Sequence, residues 1–188
     1  MIKFKLFIEF FCLALALGFF SPTASAASVS GLSPTPVLYK TDSVNSYELF
    51  WPVSAGRVMG DKLYFLKILK ENIRGALIFN DLKKAEYNIT LSEKRTVEAE
   101  KLFTVTKDYN SGKKTLDAAK QKQEKASAFL KKADGKDRYI GDVKNRMLYS
   151  FKNQRDVLND ISLKVAQDQK VILEGSSNQL NLLLKSIE

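Results

Sequence analysis

Apolar side chains recur along this chain at three- and four-residue steps, in stretches separated by capping and turn residues, a pattern that predicts helices. Between Lys62 and Phe79, Leu63, Leu66, Leu69, Ile73, Ala76 and Leu77 form one face, widened by Phe65, Ile68 and Ile78, with Asp61 after Gly60 as the capping residue. The breadth of that face predicts the most deeply buried helix of the chain. Asn80 and Asp81 then cap a second helix over 82–107, whose seam of Leu82, Ala85, Ile89, Ser92, Thr96, Ala99 and Phe103 is narrow and rich in small residues. Tyr109 to Gly112 reads as a turn into a third helix over 113–133, seamed by Leu116, Ala119, Gln123, Ala126, Leu130 and Ala133. Gly135 is its expected C-cap, and Asp137 the N-cap of the next helix.

The fourth helix is expected to be the longest, over 138–174. Phe151, Leu158, Val165 and Ile172 are spaced by seven, Ile140, Met147 and Ile161 fill the companion position, and Gln154 and Asp168 interrupt it with polar side chains. Gly175-Ser176-Ser177 is the expected break before a short helix over 178–187, with Leu180, Leu183, Leu184 and Ile187 on one face. No stretch alternates with period two for long enough to predict a strand. The fold class is therefore all-α: an elongated antiparallel bundle or set of helical hairpins, ending in a long coiled-coil-like helix. Such narrow seams also suit pairing with a second copy of the chain, as a homo-oligomer.

What precedes the helices is of another kind. Lys3 and Lys5 form a positive head, Phe10 to Phe20 an apolar run of signal-peptide length, and Ala24-Ser25-Ala26 an Ala-x-Ala cleavage signature. Residues 1–26 read as a signal peptide cleaved after Ala26, with an uncleaved anchor as the alternative; Cys12 lies mid-core, the wrong place for a lipoprotein cysteine. Residues 27–46, rich in Ser, Thr and Pro, read as a flexible linker, which leaves 47–188 as the helical domain. The chain is thereby expected to be exported, to the periplasm, the cell surface or the envelope.

This changes the chemistry open to it. The chain has no histidine, and its one cysteine lies in the leader. The mature protein thus lacks imidazole and thiolate ligands, a disulfide, and the usual general base near neutral pH, so no metal, cofactor or catalytic residue is expected. Ser54 near Arg57 and Lys62 matches no nucleophile elbow, and Gly56-x-x-x-Gly60-Asp-Lys lacks the spacing of a phosphate loop; a glycine-dependent tight turn is the simpler reading. Glu93, Glu98 and Glu100 interleave with Lys94, Arg95 and Lys101, which predicts a solvated, salt-paired helix face and no cation site.

Charge supplies the strongest remaining signal. The formal net charge is +9, and residues 107–155 carry 14 basic against 6 acidic side chains. Lys120, Lys131, Lys132, Lys136, Arg138, Lys144 and Arg146 are expected around one hairpin and its turn, as a field that attracts anionic partners. Outside the cytoplasm such partners are phospholipid head groups, wall polymers or acidic unfolded proteins, with nucleic acid the weaker candidate since no recognition motif surrounds Tyr139 or Tyr149. The alternative is a lysine-rich solvated surface without a partner.

Leu63-Tyr64-Phe65-Leu66-Lys67, Lys84-Ala85-Glu86 and Lys94-Arg95-Thr96-Val97-Glu98-Ala99-Glu100 carry a resemblance. Over about residues 47–133 the chain resembles a bacterial extracytoplasmic helical domain family of unknown function, found behind signal peptides or transmembrane helices. That resemblance implies helices and an envelope location, and no activity. By class and charge alone the chain is also similar to basic periplasmic coiled-coil chaperones, although the strand-rich trimerisation body of those proteins is not visible in it.

The function expected from these readings is a non-catalytic, exported binding or scaffolding protein of the bacterial cell envelope, its basic hairpin facing an anionic component or an unknown protein. The alternatives are a holdase-like chaperone and, more weakly, a lysine- or carboxylate-based enzyme acting on wall polymers. Phe50 and Trp51, ahead of Pro52, are expected to dock the linker against the bundle, with a partner as the other surface they could face.

Overall fold

The computed structural model describes residues 44–136 and 139–188; the leader, residues 27–43 of the linker, the Asp137 cap and Arg138 lie outside the described residues. The described chain is helical: α1 Ser46–Leu49, α2 Tyr64–Ala76, α3 Asp81–Lys101, α4 Tyr109–Asp134, α5 Gly141–Lys164 and α6 Gln167–Ile187, with a π-helical turn Leu102–Thr106 closing α3. Among the described residues there is no strand.

Helices α3 and α4 form one antiparallel hairpin, α5 and α6 a second. The two hairpins pack α3 on α5 and α4 on α6, so α4 and α5 lie across the diagonal of a four-helix bundle. The small-residue seams read from the sequence are the buried faces. Ala85, Ile89, Ser92, Thr96 and Ala99 of α3, with Phe103 of the π-helical turn, meet Leu116, Ala119, Gln123, Ala126, Leu130 and Ala133 of α4, and all are buried. Met147, Phe151, Leu158 and Ile161 of α5, with Leu173 and Leu180 of α6, complete the core.

Three boundaries depart from expectation. The turn between α3 and α4 is Lys107-Asp108, with Lys107 left-handed at φ 55° and Asp108 capping Ser111 N–H at 3.1 Å. Gly112 belongs to the first turns of α4, where it admits the Phe103 ring; a Cβ there would stand 2.7 Å from that ring. The expected 138–174 helix is two helices, because Val165 and Ala166 are extended and the chain reverses there, while Gly175, Ser176 and Ser177 lie within α6. Continued straight, the helix would carry Leu173, Leu180, Leu184 and Ile187 off the end of the bundle. Folding back buries all four, at roughly 1.5–3 kcal/mol each, which outweighs the penalty of about 1 kcal/mol for a helical glycine.

Helix α2 reverses its expected burial. Asp61 accepts from Val58 N–H at 2.8 Å in the preceding loop and does not cap it. Its polar side faces the bundle: Glu71 is buried against Arg95, Lys67 pairs with Glu98 at 2.5 Å, and Tyr64 O–H donates to Glu98 at 2.9 Å. Its apolar side, Leu66, Leu69, Ile73 and Leu77, is exposed. Arg95 and Glu98, at 2% and 0% exposure, pair with each other at 2.5 Å, and the polar side of α2 adds Glu71 to Arg95 and Lys67 and Tyr64 to Glu98. The expectation of a solvated, salt-paired face at Glu93–Lys101 is corrected with it: of those residues only Arg95 and Glu98 pair with each other, and that pair is buried, while Lys94, Glu100 and Lys101 are half-buried.

Candidate functional site

The loop from Phe50 to Leu63 joins α1 to α2 and forms one wall of an open cleft. Gly56 and Gly60 take positive φ, 54° and 102°, as a tight turn requires. Lys67 Nζ donates to the carbonyls of Ala55 and Arg57 at 3.0 and 2.9 Å, and Lys101 Nζ reaches the Gly56 carbonyl at 3.3 Å. Two lysines from two helices thus hold the loop against α3.

Phe50 and Trp51 part company in this loop. Phe50 is buried in the core cluster, whereas Trp51 is 68% exposed, its ring edge-on to Tyr47 with centroids 4.8 Å apart. The expectation that both rings anchor the linker is corrected for Trp51.

The cleft encloses about 710 Å³ between this loop, α3 and α5. Thr90, Glu93 and Lys94 line it from α3, Arg146 and Tyr149 from α5, and Trp51 and Arg57 from the loop. Arg146 donates to Thr90 Oγ1 at 2.8 Å, which fixes its guanidinium across the floor. A second recess of about 480 Å³ shares Thr90, Lys94 and Arg146 and continues past Arg74, Lys83 and Tyr87. Burial pushes the Glu93 carboxyl above its ordinary range, while the Ser150 hydroxyl and Arg146 draw it part of the way back. A groove so lined offers cations for an anionic group and exposed aromatic faces for an apolar or ring-bearing segment beside it.

Arg138 lies outside the described residues, and the other six basic candidates do not form one patch. Lys120 and Lys131 stand exposed on the outer side of α4. Lys132 and Lys136 lie 3.4 and 2.5 Å from the Asp81 carboxylate, tying the end of α4 to the start of α3. Lys144 donates to the Glu188 carbonyl at 3.3 Å, and Arg146 enters the cleft. The diagonal placement of α4 and α5 is what disperses them. Arg57, Glu93, Lys94 and Tyr149 were not among the expected site residues. Thr90 and Lys94, and Arg146 and Tyr149, have helical spacing that puts each pair on one face, but no local signal brings the two faces together.

The three glutamates considered as cation ligands have separate surroundings. Glu98 faces Arg95 and Lys67, Glu93 the cleft, and Glu100 the Ser46 hydroxyl. Asn88-Ile89-Thr90 matches the Asn-x-Thr glycosylation pattern, but Asn88 is buried in α3, donating to the Lys84 carbonyl at 2.7 Å.

A family model described as "Domain of unknown function (DUF5667)" matches residues 57–174, a span that begins later than the resemblance over about 47–133 and runs further towards the C-terminus. No curated protein and no solved structure matches the chain.

Proposed function

The chain belongs to the DUF5667 family of domains of unknown function, and from that premise we propose that it is a non-catalytic, exported binding and scaffolding protein of the bacterial cell envelope that holds an anionic polymer in the cleft beside Trp51. The observation that carries this reading is the convergence of Arg57, Lys94 and Arg146 around an exposed aromatic wall. An extended groove favours a chain-like ligand over a compact one, since the second recess prolongs it past Arg74 and past Lys83, the latter paired with Glu86 at 3.1 Å. Among exported components, phosphate-bearing polymers of the wall have this form and charge. The signal-peptide pattern of residues 1–26 supports the location.

Trp51 is the sole tryptophan and lies on the cleft wall, so its fluorescence reports occupancy directly. Titration with inorganic polyphosphate at low salt is expected to change its emission saturably, with affinity falling steeply as salt rises. Lys94→Glu combined with Arg146→Glu should weaken that affinity at least tenfold. Retention of affinity in this variant, with loss in Lys120→Glu/Lys131→Glu, would assign binding to the outer side of α4 and overturn the cleft reading.

A further inference from the structure

Helix α2 turns a continuous apolar stripe to solvent. Leu66, Leu69, Ile73 and Leu77 are 46%, 52%, 47% and 68% exposed, and Phe79, just beyond the helix, is 85% exposed. The helix is held to the bundle from its other side, by Glu71 to Arg95, Lys67 to Glu98, and the Tyr87 hydroxyl donating to the Glu71 carbonyl at 2.9 Å. The bundle core is complete without α2, so the stripe is not a remnant of internal packing.

We propose that this stripe seats α2 in the head-group region of a bilayer containing anionic lipid. Charge complementarity favours that occupant. Lys70 and Arg74 are exposed along the stripe, the only acidic residue of the helix, Glu71, is buried against Arg95, and ahead of the helix the exposed Lys62 offsets the exposed Asp61. An amphipathic helix with cations beside its apolar face is the form that lies in a membrane interface, the lysine stems running along the apolar surface with their ammonium groups at the phosphates. At 13 residues α2 is shorter than the roughly 20 needed to cross a bilayer, so it would lie in the interface. Area disfavours a second copy as the occupant. One side of a 13-residue helix offers on the order of 400–500 Å², against roughly 800 Å² per partner in a stable interface.

The stripe borders the second recess at Arg74 and Phe79 but shares no lining residue with the cleft beside Trp51, so Leu69 and Ile73 probe it without touching that cleft. The test is co-sedimentation of the protein recovered after export with vesicles of phosphatidylglycerol and phosphatidylcholine, or of phosphatidylcholine alone. Binding to the anionic vesicles is expected to exceed binding to the neutral ones at least tenfold. Leu69→Glu/Ile73→Glu should abolish it while the response of Trp51 to polyphosphate persists. Unchanged vesicle binding in that variant overturns the proposal. So does a wild-type dimer that the variant dissociates without any vesicle binding, or suppression of client aggregation that the variant loses without vesicle binding. Should the paired glutamates prevent folding, Leu66→Cys carrying a polarity-sensitive dye reads the same event. A blue shift with anionic vesicles supports insertion, and an unchanged spectrum refutes it.

Discussion

Arg95 joins α2 to the bundle through two carboxylates. It meets Glu71 through one terminal nitrogen and Glu98 at 2.5 Å through the other, with all three side chains buried. Removing the guanidinium strands the buried Glu71 carboxylate and leaves Glu98 with Lys67 as its only cation, a loss on the order of 3–5 kcal/mol. Arg95→Ala is therefore expected to lower the urea midpoint strongly and to speed hydrogen exchange in α2 before the rest of the chain. Trp51→Ala contrasts with it: an exposed ring leaves no cavity, and the expected cost is less than about 1 kcal/mol, by chemical denaturation. A buried ring would have cost ~3 kcal/mol. Glu93 ties stability to pH. Because burial raises its folded pKa, the folded protein binds a proton that the unfolded chain has already released, and stability rises as pH falls through the folded pKa towards the unfolded one. Glu100 acts in the same direction, also chiefly through burial. Asp81 acts in the opposite one, since Lys136 holds its carboxyl below the ordinary range and that contribution is lost as pH falls through it. A stability maximum on the acid side of neutral is expected. A series of denaturation midpoints should show it, and Glu93→Gln should flatten the rise.

At the scale of helices, the small-residue seams were legible because the three- and four-residue period is local and Ala, Ser and Thr leave room for a partner. The boundaries were less so. Gly112 resembles a turn residue but is buried in α4, where its missing Cβ accommodates Phe103. Gly175 resembles a helix breaker but lies in α6, with nothing within 4 Å of where a Cβ would stand. Gly175→Ala is expected to stabilise the protein by about 0.5–1 kcal/mol in thermal or chemical denaturation, because alanine favours helix and narrows the unfolded ensemble. A destabilising effect would place a bend at that position. The reversal at Val165-Ala166 had no glycine or proline to mark it. It follows from where α6 finds apolar contacts, a tertiary fact.

Across the whole molecule, Gln154 joins three helices. Its carbonyl accepts from Gln123 at 2.8 Å and Thr96 at 3.1 Å, and its amide donates to Ser92 at 2.9 Å and Ser150 at 3.0 Å. Gln154→Leu would leave those buried groups without this partner, and a loss of roughly 2–4 kcal/mol is expected, measured by urea denaturation. From the sequence, Gln154 was only a polar interruption of an apolar seam; its role as a hub needs α3 and α4 around it. The basic segment is the converse case. Its charge excess is plain in composition, yet the bundle divides it among a pairing with Asp81, a contact with Glu188, the outer side of α4 and the cleft. The sequence by itself determined the helical class and which residues share a side of each helix, since both follow from short-range periodicity. Only the tertiary structure decided which side of α2 turns inward, that α4 and α5 are diagonal, and that Trp51, Lys94 and Arg146 meet. Those outcomes depend on buried charges and contacts contributed by residues far apart in the chain.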